Sequence, residues 1–143
     1  MSNANVMLLD EIVVAWSKRN IPALLALFTD DCVYEDMAMG VVNHGKHELS
    51  CFATEVFKTM PDFTLRFPKR FATAHEGASE WIITATWNGL FEGVDCTGRE
   101  ITFTGLSMYT FRDGKLASNR DCWDYTSLMR QLGVLGANLR SLR

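Results

Sequence analysis

A lone carboxylate among aromatic and apolar residues is the feature of this sequence best suited to chemistry. Asp121 lies in residues 116–123, which follow the Asp113-Gly114 turn signal and read as a final strand. The favoured hairpin for Arg112-Asp113-Gly114-Lys115 is a three-residue loop, a type I turn followed by Gly114 in the left-handed region. That register pairs Phe111 with Lys115, Ser107 with Asn119 and Gly105 with Asp121. Cross-strand partners share a face, so Ser107, Tyr109, Asn119, Asp121 and Trp123 should point to the side of Ile101 and Phe103. Asp121 then sits on a mostly apolar face, opposite a glycine that leaves space. A two-residue turn would put Arg120 there instead. Desolvation in such a setting raises a carboxyl pKa toward the range useful for proton transfer. The competing arrangement pairs Asp121 with Arg120 or Arg130, or leaves it in solvent as most strand charges are.

A second constellation is Tyr34-Glu35-Asp36, in a short β-prone segment between two helices. Tyr34 and Asp36 alternate to one face and Glu35 to the other. A phenol and a carboxylate can together polarise a carbonyl or hold a water. The same residues also read as a surface acidic turn continuing Asp30-Asp31. His44 and His47 have a spacing that suits a metal on a helix, but Gly45 between them argues for a helix start and no third ligand is evident. No metal is expected. Trp81 and Trp87 share a face, and their spacing leaves core, interface and pocket open.

The elements that must position these groups follow from periodicity. Val6, Leu9, Val13 and Trp16 recur at helical spacing, and a second helix follows over residues 21–28 with Asn20 as N-cap. Leu49, Phe52, Ala53, Val56, Phe57 and Met60 mark a third helix that Pro61 stops. Beyond it the period becomes two: Phe63, Leu65 and Phe67; then Trp81, Ile83, Ala85 and Trp87; then Ile101, Phe103, Ser107, Tyr109 and Phe111. Asp124 can cap a short last helix that Gly133 ends. Helices first and long strands afterwards predict an α+β fold, a curved antiparallel sheet wrapped around N-terminal helices. The expectation is one domain over residues 1–143.

Composition narrows the function. The formal net charge is -3 with no basic run, which argues against nucleic acid. Four cysteines form no C-x-x-C pair, no signal peptide is evident, and no apolar stretch approaches the ~18 residues of a membrane span. Reduced thiols and a cytoplasmic location are expected, with no membrane partner. Nine Phe, four Trp and three Tyr suffice to line a core or a cavity.

Arg120-Asp121-Cys122-Trp123-Asp124 followed by Leu128-Met129-Arg130-Gln131-Leu132-Gly133 resembles the C-terminal signature of SnoaL-like polyketide cyclases, of the nuclear transport factor 2-like superfamily. Thr97-Gly98-Arg99, Asp113-Gly114-Lys115 and Leu27-Phe28-Thr29-Asp30-Asp31 resemble the same family's motifs. The resemblance implies an α+β cone around a ligand cavity, usually in homodimers. It implies that Asp121 is the acid/base for an aldol ring closure, with Ser107 standing where the cyclases carry an assisting histidine. Limonene-type epoxide hydrolases are similar too: their tyrosine and asparagine helpers align with Tyr34 and Asp36, and their Arg-x-Asp pair with Thr86 and Asn88. Asp36 also aligns with the proton-shuttling aspartate of ketosteroid isomerases, whose oxyanion-hole tyrosine and protonated aspartate align with Ile12 and Ser107.

The expected function is a cofactor-independent acid/base enzyme acting on a small hydrophobic carbonyl compound, by cyclisation or isomerisation. Asp121, Asp36 and Tyr34 are the catalytic candidates. Asn88, Ser107, Trp123, Phe103 and Tyr109 are the substrate-binding ones. A non-catalytic ligand-binding domain and an epoxide hydrolase are the alternatives. A homodimer is expected, because Thr102, Thr104, Leu106, Met108 and Thr110 form a second sheet face that needs cover.

Overall fold

The structure is a computed structural model that describes residues 2–134; residue 1 and residues 135–143 of the expected domain lie outside it. Helix α1 (Asn3–Ser17) buries Leu9 and Trp16 of the expected stripe together with Leu8 and Ile12 beside them, while Val6 and Val13 are half-buried. Helix α2 (Ile21–Ala26) begins where the Asn20 side chain accepts a hydrogen bond from the Ala23 N–H at 3.1 Å, with Pro22 in the first turn. It stops short of Phe28 because that residue already opens a strand. Strand β1 (Phe28–Asp36) runs nine residues, longer than the short segment expected, and the brief β2 (Val41–His44) returns beside it. Helix α3 (Gly45–Thr59) ends before Pro61, as predicted.

Strands β3 (Thr64–Ala72), β4 (Glu76–Thr86) and, after a small pair β5 (Leu90–Phe91) and β6 (Val94–Asp95) that the periodicity does not signal, the long β7 (Glu100–Arg112) carry the alternating segments. Strand β8 (Lys115–Trp123) and helix α4 (Tyr125–Leu132) complete the order. The Asp124 side chain caps α4 by accepting from the Ser127 N–H at 2.9 Å, and Gly133 leaves it at φ 74°. The main sheet runs β2-β1-β8-β7-β4-β3, curved and unclosed, with the helices on its concave side. It is antiparallel except for β1 and β8, which pair in parallel. Nothing in the local periodicity announces that pairing, because its two strands are distant in the sequence.

One local detail decides which side chains face inward. The hairpin between β7 and β8 has a two-residue turn: Arg112 pairs with Lys115, and Asp113 and Gly114 both take positive φ. The expected three-residue loop is therefore corrected. A register shift between Thr110 and Phe111 places Ala117 as an extra residue, so Thr110 pairs with Ser118 and Ser107 with Asp121. The bulge restores the inward face that the shorter turn alone would have given to Arg120. Gly105 lies opposite Trp123 rather than Asp121, and Ser107 opposite Asp121 rather than Asn119.

Candidate functional site

Parallel pairing sets Tyr34 beside Asn119 and Asp36 beside Asp121, all on the concave face. Both oxygens of Asp121 are engaged. Oδ2 accepts from the Tyr34 hydroxyl at 2.7 Å, while Oδ1 accepts from Asn119 Nδ2 at 2.7 Å and from the Ser107 hydroxyl. Asp36 accepts from Trp123 Nε1 at 3.1 Å and 3.0 Å on its two oxygens, and from the Met39 N–H at 3.0 Å. The two sequence constellations thus form one cluster. Glu35 turns to the other face, where Arg120 approaches it at 3.3 Å.

Burial pushes the Asp121 carboxyl up to about 6, against the pull of its three hydrogen bonds, and Asp36 adds repulsion. Desolvation therefore outweighs the donors. Asp121 keeps some accessible surface, but that surface belongs to the cavity it lines. The Tyr34 phenol is driven well above its ordinary value by burial and then by the charge of Asp121, so it stays protonated and remains a donor. Burial raises the Tyr109 hydroxyl too; it shares a hydrogen with Ser79 at 2.5 Å.

Gly105 and Trp81 orient this cluster from behind. They pair across β4 and β7, and a Cβ on Gly105 would fall 2.2 Å from the Trp81 ring. The space expected beside that glycine is filled by the indole. Lying there, Trp81 Nε1 donates to the Ser107 hydroxyl at 2.8 Å. An indole N–H can only donate, so the Ser107 oxygen accepts from Trp81 and turns its own hydrogen to Asp121. The direction of the relay is fixed.

In front of the cluster lies a cavity of about 260 Å³. Trp16, Phe52, Phe63, Trp87, Phe103 and Trp123 are among the rings on its wall. Trp123 stacks at a tilt on Phe103 (centroids 5.0 Å apart) and on Tyr125 (5.4 Å), while Tyr34 meets Phe52 at 5.4 Å. Such pairs hold the wall in place. Trp87 Nε1 is buried with no acceptor among the described residues.

Of the residues singled out from sequence, Asp121, Asp36, Tyr34, Ser107, Trp123, Phe103 and Tyr109 all line this cavity. Asn88 does not. It follows β4 at an exposed position and its amide donates to the Lys58 carbonyl at 3.2 Å, so the substrate-binding placement is corrected. His44 and His47 are exposed at the start of α3. Sequence reasoning put Asn119 on the inner face without seeing that it bonds Asp121, although a position two residues away on one strand signals it. It also left Trp81 undecided; the signal was a tryptophan at the register of a glycine.

The family model for SnoaL-like polyketide cyclase matches residues 6–132. No curated protein matches the chain. Among solved structures, a candidate hydroxylase, AclR, from Streptomyces galilaeus superposes with a TM-score of 0.80 at 25% identity, covering 94% of this chain and 100% of that one. IdmH, a candidate polyketide cyclase from Streptomyces antibioticus, gives 0.78 at 21% identity over 93% and 100%. A protein of ketosteroid isomerase-like fold from Catenulispora acidiphila gives 0.77 at 18% over 89% and 92%. Spanning motif, fold and inward aspartate together, the chain belongs to the SnoaL-like polyketide cyclase family.

Proposed function

We propose that this protein is a cofactor-independent acid/base enzyme that cyclises or isomerises a small hydrophobic carbonyl compound, with Asp121 moving the proton. The observation that carries the reading is a single carboxyl with a pKa of about 6, held by three donors at the end of an aromatic cavity. Near neutral pH such a group is mostly ionised, yet basic enough to take a proton from carbon beside a carbonyl.

In the proposed step Asp121 Oδ2 takes that proton and the C–H electron pair passes to the carbonyl oxygen as an enolate. Oδ2 then no longer needs the Tyr34 hydrogen, which turns to the enolate oxygen. For cyclisation the enolate carbon attacks a second carbonyl of the same molecule, and the alkoxide formed recovers the proton from Asp121. For isomerisation Asp121 returns the proton to a different carbon. Ser107 and Asn119 hold Oδ1 throughout, and the apolar wall keeps bulk water from competing for the enolate. Asp36, fixed by Trp123, orients the substrate beside Asp121.

The test is Asp121→Asn against a panel of diketones, polyketide mimics and enones. A loss of about 10²–10⁴-fold in turnover on an accepted substrate is the expected result. Undiminished turnover removes Asp121 from the mechanism, and recovery of every bound ligand unchanged by the wild type favours the binding-only alternative.

The reading extends to assembly and location. Leu106 and Met108 are 63% and 57% exposed on the convex face between threonines, an arrangement suited to a second copy of the chain. Light scattering at micromolar concentration should give twice the chain mass; a monomer contradicts this. Among the described residues no helix is long and apolar enough to cross a membrane, and a cytoplasmic location accords with that.

A further inference from the structure

The charge of the cavity wall is one-sided. Twelve aromatic rings line it together with three carboxylates, Asp36, Asp121 and Glu55. Among the described residues no lysine, arginine or histidine does. Glu55 is at the rim, where Lys58 meets it at 3.3 Å with both side chains largely exposed. Among the described residues Asp36 and Asp121 have no such partner. They are neighbours across β1 and β8, strands of a sheet about 4.8 Å apart, and every side-chain donor bonded to them is neutral. The nearest basic side chain on β8, Arg120, is on the opposite face with Glu35.

Two enclosed carboxylates without a counter-charge are costly to keep, and an anionic ligand beside them costs more. A positive charge relieves both. The same wall offers what a weakly hydrated cation binds best, the negative faces of aromatic rings. Trp123 links the two attractions, since its N–H holds Asp36 while its ring lies in the wall beside Phe103 and Tyr125. A neutral hydrocarbon of the same shape would fill the space but leave the carboxylates unpaired.

We infer that the ligand of this cavity is a hydrophobic molecule carrying a cationic nitrogen, an alkylated or protonated amine, seated beside the Asp36 carboxylate and over the face of the Trp123 ring. The inference rests on the cavity being the substrate site and narrows its substrate class: the nitrogen binds at Asp36, and the acidic carbon is presented a few bonds away at Asp121. Substrates whose polar end is a carboxylate or phosphate are excluded.

Direct binding tests this without turnover. All four tryptophans, Trp16, Trp81, Trp87 and Trp123, line the cavity, so their fluorescence reports its occupancy. The full chain is titrated with benzyltrimethylammonium, with its uncharged carbon isostere neopentylbenzene, and with the anion phenylacetate. The cation should bind at least about tenfold more tightly than the isostere, and the anion should bind weakest. Asp36→Asn, checked for an intact melting transition, should remove most of the cation's advantage and leave the isostere unchanged. Equal or tighter binding of the isostere or the anion by the wild-type protein overturns the inference, whatever the variant does. Loss of Asp121 from the mechanism would show in turnover alone and would leave this order of affinities standing, so the two readings fail separately.

Discussion

The two faces of the sheet turn similar residue types to opposite ends. On the concave face Asp121 has neutral donors, an aromatic wall and, among the described residues, no cation, and its carboxyl is pushed up to about 6. One residue earlier on the same strand, Arg120 reaches the convex face and pairs with Glu35 in contact with solvent. Concave residues such as Leu116 and Phe103 are buried, whereas Leu106 and Met108 on the convex side stay exposed. Chemistry here depends on which face a charge occupies, more than on which charges the chain carries. On the convex side water screens a pair until it contributes little; on the concave side the absence of water moves a pKa.

Substitutions can break that contrast, and the largest effect lies in the inner packing. Leu116, fully buried, should cost about 2–5 kcal/mol when changed to Ala, measured by urea unfolding. Leu106→Ala, on the other face, should change chain stability by about 0.5 kcal/mol or less. Comparable costs would mean that the two faces are packed alike.

A second effect sharpens the contrast electrostatically. The folded pKa of Asp121 lies above its ordinary 3.8, so the folded state binds its proton more tightly than the unfolded one. The stability this gives is fully present below about pH 4 and is lost as pH rises through about 6. The size is at most about 3 kcal/mol, from about 1.4 kcal/mol per pKa unit. Wild-type stability should therefore fall relative to Asp121→Asn across that window. A difference between the two that is flat from pH 4 to 7 would show an ordinary, solvated carboxyl.

Gly105→Ala probes the relay behind the site. Its methyl group has no room beside Trp81, and overpacking of this kind costs about 1–3 kcal/mol. Displacing the indole also frees the Ser107 hydroxyl from its fixed direction, so the pH midpoint of activity should move along with tryptophan emission. A lowered melting temperature with neither of those changes would reduce Gly105 to a packing role. The smallest effect belongs to Glu35→Gln, which should cost under about 1 kcal/mol and less still in high salt.

Most of the architecture was legible in the sequence because it is periodic. The α1 stripe, the stop at Pro61, the alternation through Trp81–Trp87 and the Asp124 and Gly133 caps are all local signals, and each appears where it was read. The site was legible only in part. Tyr34 and Asp36 share a face by parity alone, but their meeting with Asp121 depends on a parallel pairing between strands at opposite ends of the chain. Asp121 itself was assigned inward by way of the wrong turn. The hairpin takes two residues, Ala117 bulges, and the two departures cancel in parity. A bulge is a tertiary choice that no turn motif announces. Asn88 was misplaced because an alignment position carries no information on where a strand ends; β4 stops at Thr86, and Asn88 turns outward to Lys58 while Trp87 and Phe91 on either side of it still line the cavity.

The most direct measurement is a carbon-13 NMR titration of the Asp121 side-chain carboxyl in the ligand-free protein, assigned by its loss in Asp121→Asn. A midpoint near pH 6 is the result this account requires. A midpoint near pH 4 would place the group in water, and the proton-transfer role proposed for it would fall.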